Sequence, residues 1–446
     1  MTTDDLRARL QRKLITADDA AALVQSGSWI DYGAALGQPD LFDQALARRM
    51  DQLRDVRIRA CLTMTPRAVL EADPTGEHFL WFNWHFSGYD RARNEDGRIN
   101  YIPMNFGEAP DYYRRFIDPI DVVCLKTCPM DAHGYFNFGL AVANTKAITE
   151  RATVLVVETC ATMPYVLGAQ ESVHLDDVTW VIDGGEGHVP ELPNPPSSDV
   201  DHRVAELIAA EIEPGACLQI GIGGMPNAVC AALATAGIRN LGIHTEMFVD
   251  SMVDLIEAGV VTGACKQLNR FQSIYTFAGG SRRTYDFLDR HPQVQSYPVD
   301  YTNLPEVIAR NDRVVAINNT TQIDLQGQAA SESDGFRHLT GTGGQLQFMR
   351  GAYASHGGKA FMCLASTYER HGVRRSRIVT TLTPGNIVTT PRTDMMYVVT
   401  EFGLVNLKGK SVAERATALI GIAHPDFREP LMREARELKL VPRGFW

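Results

Sequence analysis

The chain has 446 residues, of which 45% are hydrophobic and 22% are charged, and its formal net charge at pH 7 is −10. This length and composition are typical of a soluble protein with two domains of ordinary size. The acidic balance and the lack of a long basic run argue against nucleic acid as a partner. No apolar stretch approaches the roughly 20 residues that cross a bilayer, and the polar N-terminus does not resemble a secretory signal. We therefore expect a cytoplasmic protein with no membrane contact.

Two stretches, one near each end of the chain, are predicted to be mainly helical. Residues 3–50 carry helical patterns, Thr16 has the sequence context of a helix N-cap, and residues 413–440 form a helical tail. Between them, short apolar runs bounded by turn residues alternate with helical stretches, as in buried parallel sheets. The predicted strands lie at residues 56–62, 122–125, 154–157, 217–220, 314–317, 360–364, 377–380 and 397–400. This alternation predicts two α/β domains with a cleft between them.

A proline-rich stretch marks the predicted boundary between the two domains. Prolines occupy positions 190, 193, 195 and 196, and such a density suits neither a helix nor a central strand. We predict an N-terminal domain over residues 1–189, a linker over 190–200 and a C-terminal domain over 201–446.

Cysteines and histidines give no sign of a metal site. Eight cysteines and twelve histidines are scattered along the chain, without a Cys-x-x-Cys or His-x-x-x-His pair. Most cysteines lie in apolar, strand-like surroundings. We therefore expect reduced, buried thiols and no bound metal.

A Gly-rich turn follows the predicted strand at 217–220 and opens a helix. Backbone N–H groups and the dipole at such a helix start suit a phosphate or an oxyanion, although a tight turn without a ligand is the plain alternative. The dinucleotide fingerprint G-x-G-x-x-G is not met, because position 226 is proline. The turn comprises Gly221, Ile222, Gly223, Gly224 and Met225.

Glu246 stands about 20 residues beyond this turn, just after the apolar residues 241–243. That position resembles the carboxyl end of a strand, where α/β sheets place their chemistry. The glutamate suits two roles, a ribose-binding acid or a nucleophile that attacks an acyl-thioester, and an ordinary surface glutamate is the plain alternative. A second Gly-rich loop at 341–345, which contains Gly344, can stabilise an oxyanion or bind pyrophosphate, or serve as a plain loop.

Two further stretches combine polar and aromatic residues. In residues 131–139, His133 next to a glycine suits an acid or base, and a structural histidine in a turn is the alternative. The aromatic cluster at 81–86 favours core or interface packing.

Taken together, these motifs resemble the class I CoA-transferases, specifically the acetyl-CoA hydrolase/transferase group. This group includes butyryl-CoA:acetate and 4-hydroxybutyrate CoA-transferases. The resemblance runs from about residue 10 to about residue 435, and it implies two open α/β domains with the active site in the cleft between them. The motifs that carry it are His244-Thr245-Glu246-Met247, residues 221–226, residues 324–328, Gly343-Gly344-Gln345, Phe348-x-Arg350-Gly351-Ala352 and Asp131-x-His133-Gly134.

The resemblance implies a ping-pong CoA transfer with Glu246 as the nucleophile. An acyl-glutamyl anhydride and then a glutamyl-CoA thioester form on Glu246, and the region of Gly344 stabilises the oxyanions. The substrates are acyl-CoA and small carboxylic acids, with CoA as a co-substrate and neither a metal nor a tightly bound cofactor. A homodimer or homotetramer is implied. The residues implied to bind CoA are Gly221, Ile222, Gly223, Gly224, Met225, Thr321, Gly344 and, in place of a lysine found in many relatives, Arg370.

The chain departs from the group near the implied acceptor pocket, where His133 and Tyr165 are placed. Many relatives read Met-Pro-Arg-Thr where this chain has Met163-Pro164-Tyr165-Val166. Since arginine suits a small carboxylate, its replacement by tyrosine predicts a bulkier or differently charged acid than acetate. Two other functions stay open: acyl-CoA hydrolysis on the same scaffold, and non-catalytic binding of CoA or a nucleotide.

Overall fold

The structure is a computed structural model that describes residues 3–192, 195–442 and 444. Packing divides the chain into two compact units. Unit 1 comprises Met1–Pro193 and Ile274–Thr302, and unit 2 comprises Asn194–Ser273 and Asn303–Trp446. The chain therefore returns to unit 1 for one segment inside the region predicted as the C-terminal domain. The predicted domain limits stay a prediction, and residues 193 and 194 of the predicted linker lie outside the described residues.

The helices are mostly short, and a few single turns of 3-10 helix lie between them, at Ala35–Gly37, Met50–Gln52 and Phe106–Glu108. In chain order the α-helices are α1 (Thr3–Lys13), α2 (Ala17–Ala22), α3 (Leu41–Ala47), α4 (Ala68–Ala72), α5 (Gly88–Glu95), α6 (Ala109–Arg115), α7 (Thr145–Thr149), α8 (Asp199–Ala209), α9 (Gly224–Thr235), α10 (Asp250–Glu257), α11 (Arg282–Leu288), α12 (Val299–Asn303), α13 (Pro305–Ile308), α14 (Gln345–Ala354), α15 (Val412–Gly421) and α16 (Pro425–Glu437).

The strands form two larger sheets and several small ones. In chain order they are β1 (Trp29–Ala34), β2 (Val56–Cys61), β3 (Phe79–Asn83), β4 (Ile99–Tyr101), β5 (Ile120–Thr127), β6 (Tyr135–Asn137), β7 (Ala152–Thr159), β8 (Leu167–Gly168), β9 (Ser172–His174), β10 (Trp180–Ile182), β11 (Cys217–Ile220), β12 (Gly242–Ile243), β13 (Met247–Phe248), β14 (Ser273–Tyr275), β15 (Phe277–Ala278), β16 (Val294–Ser296), β17 (Val314–Asn319), β18 (Gln322–Asp324), β19 (Ala329–Ala330), β20 (Ser333–Asp334), β21 (Arg337–His338), β22 (Lys359–Cys363), β23 (Thr367–Arg370), β24 (Val373–Ser376), β25 (Ile378–Val379), β26 (Tyr397–Thr400) and β27 (Gly403–Asn406).

Unit 1 is built on a seven-stranded sheet in the order β10-β7-β5-β1-β2-β3-β4. Every pair of neighbours in it is parallel. Parallel strands covered on both faces are expected to be continuous apolar runs, and the predicted strands at 56–62, 122–125 and 154–157 are confirmed as β2, β5 and β7. Their side chains join one core with α2 and α3.

The prediction that residues 3–50 are largely helical is wrong for β1, a central strand of this sheet. Its apolar run is interrupted by Asp31 and Gly33, which hid it from the sequence pattern. Asp31 is fully buried, where its carboxyl group accepts hydrogen bonds from the Tyr113 hydroxyl at 2.6 Å and the Gly33 N–H at 2.8 Å. The predicted N-cap at Thr16 is confirmed, with a capping box to Asp19.

Unit 2 is built on a six-stranded sheet in the order β12-β11-β17-β22-β26-β27. Its neighbours are parallel except for β27, which runs antiparallel to β26. The predicted strands at 217–220, 314–317, 360–364 and 397–400 are confirmed as β11, β17, β22 and β26. The predicted helical tail is two helices, α15 and α16, because Pro425 lacks a backbone N–H and starts a new helix.

The described residues contain neither a membrane-spanning helix nor a cluster of metal ligands. Across residues 3–192, 195–442 and 444, no helix combines the length and apolar content that membrane spanning requires. Over the same ranges, no group of three or more His, Cys, Asp or Glu residues is arranged to hold a metal ion. All eight cysteines are free thiols, and all except Cys265 are buried.

Candidate active site

Glu246 lies just beyond the carboxyl end of β12, as the apolar residues before it predict. β12 pairs with β11 in parallel, with Gly242 opposite Cys217. Thr245, the residue before Glu246, is fully buried. Its hydroxyl donates to the carbonyl of Ile220 at the end of β11 over 3.3 Å, which ties the segment after β12 to β11. The glutamate is therefore held at the edge of the sheet where α/β proteins place ligands.

Two donors converge on the partly buried carboxyl group of Glu246. The side-chain Nδ2 of Asn303 donates to Oε2 over 2.5 Å, and the backbone N–H of Gly344 also donates to this group. Burial raises the pKa of Glu246 to about 7, while both hydrogen bonds act in the opposite direction. A carboxyl group with this pKa has a large ionised fraction near neutral pH and is more basic than an ordinary glutamate.

Gly344 is a glycine for reasons of space. A Cβ atom at this position would lie 2.3 Å from Oε2 of Glu246 and 2.4 Å from Nδ2 of Asn303. Its φ of −96° is open to any residue, so backbone handedness does not require glycine here. The close approach of this N–H to the carboxylate thus depends on the absence of a side chain.

A buried lysine holds the strand that precedes Glu246. Lys266 donates to the carbonyl of Ile243 over 2.9 Å and to the carbonyl of Gln272 over 2.7 Å. Burial lowers the pKa of Lys266 to about 8, partly offset by Cys217. Neither this lysine nor Asn303 stands in a recognisable sequence motif, and only the folded chain brings them to the segment that carries Glu246.

A cavity of about 390 Å³ opens at the carboxyl edge of the unit 2 sheet. It brings together three of the predicted CoA-binding residues, Gly224, Met225 and Thr321. Gly224 is the first residue of α9 and lies close to Asp201. A Cβ atom at this position would lie 2.9 Å from Oδ2 of Asp201. The lining residues are Val200, Asp201, Val204, Gly224, Met225, Asn319, Thr320, Thr321, Ser331, Cys363, Leu364, Ala365 and Arg377.

The remaining predicted CoA-binding residues lie outside this lining. Gly221, Ile222 and Gly223 form the loop between β11 and α9, in which Gly223 has a φ of +120° that favours glycine and Ile222 is 57% exposed. Arg370 ends β23 in a hairpin with β24 and pairs with Asp334 at 3.7 Å. The cation that lines the cavity is Arg377, which is not among the predicted site residues.

His133 and Tyr165, the predicted acceptor residues, meet at one carboxylate in unit 1. The backbone N–H of His133 donates to Oδ1 of Asp131 over 2.8 Å, and the Tyr165 hydroxyl donates to Oδ2 over 2.9 Å. The guanidinium of Arg290 lies over the Tyr165 ring at 4.5 Å. Tyr165 lines a cavity of about 580 Å³ with Asp131, Arg282 and Arg290, whereas the exposed His133 lies outside that lining.

Comparison with known families accounts for both halves of the chain. Residues 1–193 match the acetyl-CoA hydrolase/transferase N-terminal domain, and residues 280–435 match the acetyl-CoA hydrolase/transferase C-terminal domain. The chain belongs to the acetyl-CoA hydrolase/transferase family. The resemblance that the sequence motifs carry is therefore confirmed.

Relatives within this family are similar over almost their full length. The butyryl-CoA:acetate CoA-transferase of Anaerostipes caccae is 43% identical, with 97% of this chain and 98% of that protein covered. The succinyl-CoA:cyclohexane-1-carboxylate CoA transferase of Geobacter metallireducens is 39% identical, with 97% of each covered. The crystal structure of RipA from Yersinia pestis matches with a TM-score of 0.90 at 37% identity, covering 98% of this chain and 100% of that one. The predicted α/β fold is confirmed.

Proposed function

We propose that this family member is a CoA-transferase that moves CoA from an acyl-CoA to a carboxylic acid through a covalent adduct on Glu246. Transfer of CoA follows from family membership and from relatives whose names state that reaction. The environment of Glu246 supports the covalent route. Its carboxyl group is partly buried, its pKa is raised to about 7, and two hydrogen-bond donors contact it.

The first half-reaction exchanges a thioester for an anhydride and then re-forms a thioester. An ionised Glu246 oxygen attacks the acyl-CoA carbonyl carbon, the C–S bond breaks, and the CoA thiolate leaves an acyl-glutamyl anhydride behind. The thiolate then attacks the glutamyl carbonyl carbon. The donor carboxylate leaves, and a glutamyl-CoA thioester remains. The acceptor carboxylate reverses these steps, so that no proton or water is consumed.

The two donors have a role in the second step. When the thiolate attacks the glutamyl carbon, negative charge develops on the glutamyl oxygen. The Asn303 side-chain N–H and the Gly344 backbone N–H already contact this carboxyl group, so they serve as an oxyanion hole that needs little rearrangement.

The same scaffold supports hydrolysis if water replaces the acceptor acid, and release of free thiol separates the two reactions. We expect thiol release from an acyl-CoA to be slow without an acceptor acid, and a new acyl-CoA to form when an acceptor is present. Fast thiol release that acceptor acids do not change would favour the hydrolase.

Tyr165 motivates the choice of candidate acceptor acids. Its hydroxyl is held by Asp131, and the position is one where many relatives carry an arginine. We propose a bulkier or differently charged acceptor than acetate. Turnover across short, branched, aromatic and dicarboxylic acids tests this, and a clear preference for acetate would refute it.

The surroundings and assembly of the protein are also proposed from the family resemblance. We expect a cytoplasmic homodimer or homotetramer, and the free thiols of the chain are typical of a reducing compartment. Light scattering after size-exclusion chromatography measures the assembly.

Borohydride trapping tests the covalent route directly. The protein is mixed with acetyl-, propionyl-, butyryl- or succinyl-CoA and then reduced, and peptide mass mapping follows. A glutamyl-CoA thioester becomes an alcohol, so that the side chain loses an oxygen and gains two hydrogens relative to glutamate. We expect this change at Glu246 with at least one donor and in no peptide of Glu246→Gln. No change with any donor, in protein shown to bind CoA, would overturn the proposal and favour a binding protein or a non-covalent hydrolase.

A further inference from the structure

Arg377 is the sole cation in the wall of the unit 2 cavity, all of whose lining residues are described. Its backbone is fixed on both sides, because its N–H donates to the Ser366 carbonyl over 2.8 Å and its own carbonyl accepts from the Ile323 N–H over 2.9 Å. β25 begins at the next residue and pairs in parallel with β18. The side chain therefore leaves from a rigid part of the fold.

The guanidinium of Arg377 has few acceptors within the protein. One Nη1–H donates to the carbonyl of Thr321 over 3.0 Å, and the ring of Tyr368 lies 4.9 Å away. Among the described residues no carboxylate is in ion-pair contact with it. Burial lowers the pKa of Arg377, only partly offset by Tyr368 and Asp334. A partly buried guanidinium with unused N–H groups facing a cavity is suited to an anionic ligand.

The rest of the wall is compatible with an anion. Gly224 and Met225 bring the N-terminal turn of the twelve-residue helix α9 to the cavity, where the helix dipole favours negative charge. One carboxylate also lines the cavity, that of Asp201. It is engaged in the capping box of α8, because its Oδ2 accepts from the N–H and the hydroxyl of the N-cap residue Ser198 at 2.9 and 2.7 Å.

Arg370 differs from Arg377 in each of these respects. It is 58% exposed, it pairs with Asp334, and it lies outside the cavity lining. The two arginines thus form a matched pair for an experiment, one inside the cavity and one on the neighbouring hairpin.

We propose that Arg377, and not Arg370, binds a phosphate group of CoA in this cavity. The proposal depends on the proposed function only in taking CoA as the ligand. It assigns Arg377 to ground-state binding and gives it no part in the chemistry at Glu246.

Equilibrium binding to a graded series of ligands tests this without any turnover. The dissociation constants of CoA, dephospho-CoA, 4′-phosphopantetheine and pantetheine are measured for wild type, Arg377→Gln and Arg370→Gln. We expect R377Q to weaken CoA binding by at least about tenfold, since a hydrogen bond to a charged group is lost, and to leave pantetheine binding unchanged. R370Q should bind all four ligands within about twofold of wild type, since exposed ion pairs contribute little. The ligand for which R377Q and wild type bind equally well identifies the phosphate. Equal affinity for dephospho-CoA would assign Arg377 to the ribose 3′-phosphate. Equal affinity for pantetheine alone would assign it to the phosphate on the pantetheine arm.

Several results would overturn the proposal. They are equal losses for CoA and pantetheine in R377Q, an unchanged affinity for CoA in R377Q, and a larger loss in R370Q than in R377Q. If R377Q does not fold, Arg377→Lys takes its place, and a loss confined to the phosphate-bearing ligands is again required. Wild-type protein that binds pantetheine as tightly as CoA would also refute it. A missing borohydride adduct at Glu246 would count against the covalent mechanism alone, since the binding series does not involve that step.

Discussion

Asn303 donates its side-chain N–H to Oε2 of Glu246 over 2.5 Å, although 57 residues separate them along the chain. This contact stabilises the ionised form of the glutamate. In the proposed mechanism it also places a donor beside the oxygen on which charge develops during thiolate attack.

Removal of the Asn303 side-chain N–H is expected to lower turnover and to raise the pKa of Glu246. For Asn303→Ala we expect kcat to fall by roughly 100-fold, the scale of losing one oxyanion donor. The pKa of Glu246 should rise further above about 7, because the Asn303 hydrogen bond lowers it. Turnover at saturating acyl-CoA measures the change in kcat, and the pH dependence of kcat/KM measures the change in pKa. Asn406→Ala is the control, since it removes a distant backbone contact to Lys408, and an N303A profile that matches the N406A profile would contradict the assigned role.

The activity of the wild-type enzyme should rise with pH through about 7. In the proposed mechanism only the ionised carboxylate of Glu246 attacks a thioester, and the pKa of this group is raised to about 7 by burial. We expect kcat/KM to increase about tenfold per pH unit well below this value and to level off above it. A profile with its midpoint near 4.5, the ordinary pKa of glutamate, would show that the site does not perturb this group.

The same raised pKa predicts that Glu246 reduces stability at alkaline pH. The folded state holds the proton more tightly than the unfolded state does, so the free energy of unfolding falls as pH rises from about 4.5 to about 7 and then stays lower. Glu246→Gln lacks this titration. The thermal midpoint of E246Q minus that of wild type should therefore be larger at pH 8 than at pH 5. A difference that is constant or shrinks over this range would be inconsistent with a raised pKa.

Gly344→Ala should cost activity far more than the size of a methyl group suggests. The added Cβ would lie 2.3 Å from the Glu246 carboxylate, so either the carboxylate or the loop must move away and the N–H contact is lost. We expect kcat to fall by roughly 100-fold or more, with acyl-CoA affinity less affected. Gly421→Ala is the matched control, because a Cβ atom there meets no atom within 4 Å. It should leave turnover unchanged, and equal turnover in the two variants would rule out crowding at Gly344.

Part of this site was accessible from the sequence, and the reason differs from residue to residue. Glu246 and Gly344 each stand in a local motif at the end of a strand or the start of a helix, so the motifs predict them as site residues. Asn303 lies in a stretch without a motif, and only tertiary folding brings it to Glu246. The sequence pattern does not predict β1, because Asp31 interrupts its apolar run. Asp31 is stabilised in the core by a hydrogen bond from Tyr113, which lies 82 residues further along the chain and cannot be predicted from local sequence.

The choice between Arg370 and Arg377 shows a second limit. Residues 370–377 contain four arginines, and charge alone gives no preference among them. Which one faces a cavity depends on where the β23–β24 hairpin ends and where β25 joins β18. Strand boundaries of this kind are the least predictable part of a sequence-based assignment.

The segment Ile274–Thr302 packs with unit 1 although unit 2 residues precede and follow it along the chain. An N-terminal fragment that ends at the proline-rich stretch would therefore lack part of unit 1. The C-terminal fragment would carry Ile274–Thr302 without the rest of the unit against which this segment packs. During synthesis, unit 1 reaches its full set of contacts only after residue 302 has left the ribosome, when the first segment of unit 2, Asn194–Ser273, has already emerged. The chain passes between the two units three times, after residues 193, 273 and 302. The two units are thus not independent modules for truncation or fusion.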